Sequence, residues 1–148
     1  FRLADAVGSE GKVLAIDIQQ EAVDVVRGRA QDPRTNPFGN VETRLARVDD
    51  CELEPDSVDL VFLAHLGFYL HRELLDENVR WLESLARALG HDGQLVVLEF
   101  IPPGFTNKHL VPHFEDAGFT LASSQYYEQF QTWLYTFDAP GAQPAPPG

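Results

Sequence analysis

The sequence has no methionine, a single cysteine, and few basic residues: 11 Lys and Arg stand against 23 Asp and Glu. The lone thiol, Cys51, has no internal partner for a disulfide, so a reducing cytoplasm is the expected setting. The formal net charge is -12. Such a surface repels phosphate backbones, so nucleic acid is not an expected partner. Anionic membrane surfaces are disfavoured for the same reason. No apolar run approaches the roughly 18 residues that span a bilayer. No signal-peptide pattern opens the chain, and a membrane is not an expected partner either. Methionine is missing even at position 1, so the sequence is expected to be a fragment or a processed product. What is present is ordinary for a globular protein, at 44% hydrophobic and 23% charged. The 148 residues suggest one domain.

Along the chain, short apolar runs alternate with helical patterns. Phe1 to Val7 has the character of the last turns of a helix, closed by Gly8 and Gly11. Lys12–Ile16 is apolar on both faces, as in a central strand of a parallel sheet. Gln20–Ala30 carries Ala22, Val25, Val26 and Ala30 at helical spacing. Residues 31–40 hold two prolines, two asparagines and a glycine and predict a loop. Val41–Val48 alternates and predicts a strand nearer a sheet edge. Val58–Ala64 is a second buried strand. His71–Leu89 is the longest helical stretch, Gly90–Gly93 a turn, and Gln94–Phe100 a third buried strand. Asn107–Ala117 predicts a short helix with Gly118 as its C-cap. Phe119–Tyr127 and Gln129–Phe137 are close enough to form an antiparallel pair. Ala139–Gly148, rich in Pro, Gly and Ala, is expected to be disordered. Strands alternating with helices predict an open α/β sheet of Rossmann-like type, mostly parallel, closed by an antiparallel hairpin.

In open α/β sheets, ligands bind outside the carboxyl ends of the strands. Those ends carry Asp17-Ile18, Asp49-Asp50, Ala64-His65 and Glu99. A carboxylate only accepts hydrogen bonds and has two oxygens, which suits the paired hydroxyls of a ribose. Asp17 is the candidate for that role, Ile18 for packing on an adenine face, and Asp49 for accepting from the adenine amino group. Each acid is equally readable as a solvated turn residue. His109 and His113 are four apart, a metal-ligand spacing. No third ligand accompanies them, Pro112 lies between, and no metal site is expected.

Taken in order, these segments resemble the class I S-adenosylmethionine-dependent methyltransferases, in particular small-molecule enzymes akin to the C-methyltransferases of ubiquinone and menaquinone biosynthesis. GSEGKVLAIDIQQEAVDVVRGRA (Gly8–Ala30) looks like their second strand and following helix. VDDCELEPDSVDLVFLAHLGFYLH (Val48–His71) looks like their adenine loop and fourth strand. LARALGHDGQLVVLEF (Leu85–Phe100) looks like their helix-turn-strand, with His91-Asp92 where Lys-Pro or Arg-Pro is usual. EDAGFTLASSQYYEQFQTWLYTF (Glu115–Phe137) looks like their closing hairpin. The resemblance implies a methyltransferase-like domain over residues 1–138 with a tail at 139–148. It implies S-adenosyl-L-methionine as cofactor, held by Asp17, Ile18, Asp49, Asp50, Cys51, Ala64 and His65, and a small-molecule methyl acceptor.

One departure is large. The family's first strand and its glycine-rich loop, which holds the methionine part of the cofactor, match nothing in this sequence, so the fold is expected to be N-terminally truncated. In the family that strand lies between the second and the fourth. The gap predicts one of three outcomes: direct pairing of Lys12–Ile16 with Val58–Leu63, a strand borrowed from a second copy in a homodimer, or marginal stability. Cofactor binding by these residues alone is expected to be weak or absent, and a parent chain that has the strand is expected to be active. For the chemistry, His65 is the first candidate general base, since its ordinary pKa of about 6.5 suits proton removal near neutrality. Tyr69 and His71 follow. The aromatic cluster Phe119, Tyr126, Tyr127, Phe130, Trp133, Tyr135 and Phe137 predicts hairpin core, with Tyr126 or Trp133 as candidates to roof an acceptor pocket. Two other readings stay open. One is a nicotinamide-nucleotide oxidoreductase domain, which would use Asp17 equally well but seldom ends in a hairpin. The other is a non-catalytic binding or dimerising module.

Overall fold

The computed structural model describes residues 1–47, 50–65, 75–100 and 110–142, with the backbone alone over 75–80. The chain divides into two compact units, Phe1–Cys51 and Glu52–Gly148.

The first unit contains helix α1 (Arg2–Val7), strand β1 (Val13–Asp17), helix α2 (Gln20–Ala30) and strand β2 (Val41–Leu45). β1 and β2 pair in parallel, Val13 opposite Val41 and Asp17 opposite Leu45. α1 ends where the sequence predicts, at Gly8, whose φ of 70° is left-handed. Gly11 follows because a Cβ there would come within 2.5 Å of the Val7 side chain. The last carbonyls of a helix need partners, and buried Asn40 supplies them. Its Nδ2 donates to Ala4 O at 3.1 Å and to Gly8 O at 2.8 Å. Asn40 O in turn accepts from Val13 N at 2.9 Å, so one residue ties the helix end to the start of both strands.

The second unit is a four-stranded sheet of order β3-β4-β6-β5. It contains β3 (Val58–Ala64), helix α3 (Leu75–Ala88), β4 (Leu89–Phe100), helix α4 (Leu110–Asp116), β5 (Thr120–Tyr127) and β6 (Thr132–Asp138). β3 and β4 are parallel, whereas β4–β6 and β5–β6 are antiparallel. Register places Leu95 opposite Phe137, Val97 opposite Tyr135 and Glu99 opposite Trp133. Residues two apart share a face, so these six side chains line one side of the sheet. Helices cover that side. Phe114 of α4 stacks on Phe137 with ring centroids 4.8 Å apart and meets Phe119 edge-on at 6.3 Å. Trp81, Leu82 and Leu85 of α3 are also buried.

The expected open α/β sheet with a closing antiparallel hairpin is therefore present. β1 pairs with β2, and β3 with β4, each within its own unit. The anticipated pairing of Lys12–Ile16 with Val58–Leu63 is not among the ladders of the described residues. Boundaries also differ, among them the strand expected over Gln129–Phe137, which begins at Thr132. The strand expected over Val41–Val48 ends at Leu45, and further along Asp50 N donates to Arg47 O at 3.1 Å. The turn expected at Gly90–Gly93 is enclosed by β4. Val58 faces Leu89 but Leu60 faces Gln94, so four residues of β4 bulge against one of β3. Among the described residues no helix is long and apolar enough to cross a membrane. Of His109 and His113, whose spacing was noted but where no metal site is expected, His109 lies outside the described residues.

Phe114 is fully buried in the aromatic stack. Its truncation to alanine should cost about 3–5 kcal/mol from lost transfer energy and the cavity left behind. Urea denaturation of Phe114→Ala checks this; a loss below about 1 kcal/mol would show that α4 does not anchor the sheet.

Candidate functional site

In the first unit, the candidate cofactor residues gather at the carboxyl ends of β1 and β2. Asp17 is the last residue of β1 and lies just before α2. Its Oδ1 accepts from the backbone N–H of Gln19 at 2.8 Å. That Asx turn fixes the carboxylate at the strand end. A carboxylate offers about four acceptor positions, so it retains capacity for the hydroxyls of a diol. Ile18 is 68% exposed. An aliphatic side chain left this open gains about 25 cal/mol per Å² from any apolar surface laid on it.

After β2, Asp50 is exposed, whereas Cys51 is buried. The Cys51 thiol donates to Arg47 O at 3.1 Å, and its own carbonyl accepts from the Arg44 guanidinium. Cys51 thus anchors the loop that presents Asp50. Asp49 lies outside the described residues.

In the second unit, Ala64 ends β3 and is exposed, as is His65. His65 N donates to Leu98 O at 2.8 Å, which extends the ladder by one bond. Its φ is 58°, in the left-handed region. Histidine tolerates that conformation better than most residues, but it still carries strain. Tyr69 and His71, the other candidates for the chemistry, lie outside the described residues.

Sequence reasoning noted Glu99 only as a strand end. In the structure Glu99 is 4% exposed and shares the covered face of β4. Beside it stands Tyr135, 2% exposed, whose hydroxyl has no hydrogen-bond partner among the described residues. Burial, and then the negative charge of Glu99, push the Tyr135 phenol up to about 12. An acid inside the apolar run Leu95-Val-Val-Leu-Glu99 was the signal available in the sequence. The cluster expected to be hairpin core divides. Phe119, Tyr135 and Phe137 are buried, Tyr126 and Phe130 are exposed, and Trp133 is half-buried. Among the described residues no group of three or more His, Cys, Asp or Glu could hold a metal ion.

A parallel strand that ends in an acid, followed by an exposed apolar residue and a helix, is present at β1, at the strand end where open α/β sheets bind ligands. The family model described as "Methyltransferase domain" matches residues 1–93 of the chain. The chain belongs to that methyltransferase domain family. No curated protein matches the sequence. Solved structures resemble its fold. A SAM-dependent methyltransferase from Aquifex aeolicus is 22% identical, with 93% of this chain and 74% of that one covered at a TM-score of 0.76. One from Methanosarcina mazei is 18% identical, with 94% and 85% covered at 0.73. A putative methyltransferase from Haloferax volcanii, solved in complex with the Trm112 methyltransferase activator, is 17% identical, with 88% and 73% covered at 0.70.

The strain at His65 makes a direct prediction. Glycine adopts a left-handed φ without the roughly 1–2 kcal/mol penalty of other residues. His65→Gly should therefore leave stability unchanged or raise it by up to about 1 kcal/mol. A thermal melt showing a loss of more than about 1 kcal/mol would mean that the imidazole, not the backbone turn, holds this strand end.

Proposed function

We propose that this domain transfers a methyl group from S-adenosyl-L-methionine to a small-molecule acceptor. The observation that carries the reading is Asp17, an acid held by a backbone bond at the end of a parallel strand, next to an exposed isoleucine. Membership of the methyltransferase domain family supports it, and the two relatives described as SAM-dependent agree. In this reading Asp17 accepts from the ribose hydroxyls and Ile18 covers one face of the adenine. Asp49, Asp50 and Cys51 line the adenine edge, with Asp49 accepting from its amino group. Ala64 and His65 border the methionine end and the acceptor.

When bound, the cofactor supplies an activated methyl group on a good leaving group, so the protein's share is position and exclusion of water. His65 takes the acceptor's proton on its imidazole, with Tyr69 and His71 as the further candidates. The acidic surface turns away nucleic acid and anionic membranes, and a small acceptor fits that charge. The domain spans residues 1–138, with residues 139–148 as a tail, and works in the cytoplasm.

The residues present fit only half of the cofactor. Asp17 and Ile18 suit the nucleoside, but no G-x-G turn occurs in residues 1–148 to cradle the methionine part. Residues 1–148 as an isolated polypeptide therefore bind the cofactor weakly at best. The competing reading, a nicotinamide-nucleotide domain, uses the same acid. A thermal-shift comparison separates them: S-adenosylhomocysteine at millimolar concentration should raise the melting temperature more than NAD does. A larger shift with NAD would overturn the assignment. In calorimetry, S-adenosylhomocysteine should show no micromolar binding to residues 1–148; such binding would remove the claim of impairment.

A further inference from the structure

Strand β5 stands at one end of the larger sheet and, among the described residues, pairs only with β6. One row of its backbone N–H and C=O groups therefore faces outward. Residues 122–126 are all exposed. Folded proteins blunt such an edge with charge, proline or a very short strand, because a bare edge accepts a further strand. β5 is eight residues long, Thr-Leu-Ala-Ser-Ser-Gln-Tyr-Tyr, and uses none of these. Its one irregularity is the shift in register between Leu121 and Ser123, a bulge confined to one end of the strand. Residues 123–127 stay in step with β6. The turn at Glu128–Phe130 bounds that regular run on the other side.

The five regular residues are self-complementary. A second β5 adds in antiparallel sense across a two-fold axis normal to the sheet, which keeps like faces on the same side. Pairing all five residues puts the axis at Gln125. Each serine then meets a tyrosine. Ser124 lies opposite Tyr126 of the second copy on one face, and Ser123 opposite Tyr127 of the second copy on the other. Small side chains opposite large ones fill both faces without overlap. Gln125 lies opposite itself, and its amide both donates and accepts. The tyrosines are already held in place. Tyr126 packs on the Trp133 ring at 5.1 Å, and the Tyr127 hydroxyl donates to Gln125 Oε1 at 3.0 Å. Their ordering therefore costs little on association.

Charge selects the same surface. Two chains of net charge -12 repel each other. Residues 117–127 carry no Asp, Glu, Lys or Arg, so this edge lets two copies meet without setting like charges together. The nearest acid, Glu128, falls opposite Ala122 of the second copy and away from its own counterpart. We propose that two copies of this chain pair through β5, centred on Gln125, so that the four-stranded sheet of one runs on into that of the other. β3 stands at the opposite end of the sheet, so this surface differs from the strand-borrowing contact anticipated from the sequence. The pairing is independent of the methyl-transfer reading. A contact of this length falls at the small end of specific interfaces, below about 1,200 Å², so the dimer is a weak one.

Sedimentation velocity of residues 1–148 between about 10 μM and about 1 mM spans the range of a weak dimer. The mass should rise from 16.5 kDa towards twice that value, and at lower concentration in high salt, which screens the net charge. Gln125→Glu and Gln125→Lys each set two like charges directly across the axis and should weaken the dimer at least about tenfold. The lysine variant is the sharper one. It makes each chain less negative, so association through any other surface would be unchanged or stronger. Under oxidation, Gln125→Cys should give disulfide-linked dimers. Ser123→Cys should not, because it stands four residues, about 13 Å, along the strand from its counterpart. A monomer at about 1 mM in high salt, a dimer that Gln125→Lys leaves intact, or equal linking by the two cysteine variants would overturn the proposal.

Discussion

The backbone ladder of β4 is the constraint on which the larger unit depends. β4 is the strand that takes a parallel partner on one side and an antiparallel one on the other. Each bond in those ladders is worth about 0.5–1.5 kcal/mol net, but a buried strand left unpaired would lose the full desolvation cost at every amide. Register then dictates the rest. Because Leu95 faces Phe137 and Val97 faces Tyr135, the aromatic rings of β6 fall on the side that α4 covers through Phe114. The same alternation carries Glu99 to that side. A slip of one residue would send it to the opposite face and replace it with Leu98 or Phe100. The four-residue bulge at 90–93 lies at the far end of β4, so the register at the carboxyl end is undisturbed.

In the smaller unit the comparable constraint is Asn40. It joins the end of α1 to the β1–β2 pair through two side-chain bonds and one backbone bond. With that end fixed, the opposite ends of β1 and β2 are free to carry Asp17 and the Asp50 loop. Each unit thus pins one end of its strands and presents polar groups at the other, as open α/β sheets do.

Much of this was legible in the sequence because period and punctuation were clear. α2 has the expected bounds, Gln20–Ala30, but its buried residue is Val23 and Val25 is exposed, so the apolar spacing located the helix and not its packed face. The two strands of the hairpin follow from alternation, but the second, expected from Gln129, begins at Thr132 because Glu128–Phe130 forms a short 3-10 turn. Less legible were features set by partners distant in sequence. β2 ends at Leu45, short of the alternation that runs on to Val48. Glycines 90 and 93 signal a turn, yet a bulge absorbs them without breaking the strand. Asp17 and Ile18 could be picked out as a strand-end pair, but the Asx bond that fixes the acid depends on the start of α2. Burial of Glu99 and isolation of the Tyr135 hydroxyl depend on which β-strands pair, which a single sequence does not declare.

The central claim is that this methyltransferase-family domain holds the nucleoside of S-adenosylmethionine at Asp17. Isotope-labelled chain titrated with millimolar S-adenosylhomocysteine, followed by amide resonances, tests it most directly because weak binding remains visible. The account predicts the largest shifts at Ile18, Gln19, Asp50 and Cys51, and their loss in Asp17→Ala at unchanged fold. Shifts confined to the Glu52–Gly148 unit, or a pattern that Asp17→Ala leaves intact, would contradict it.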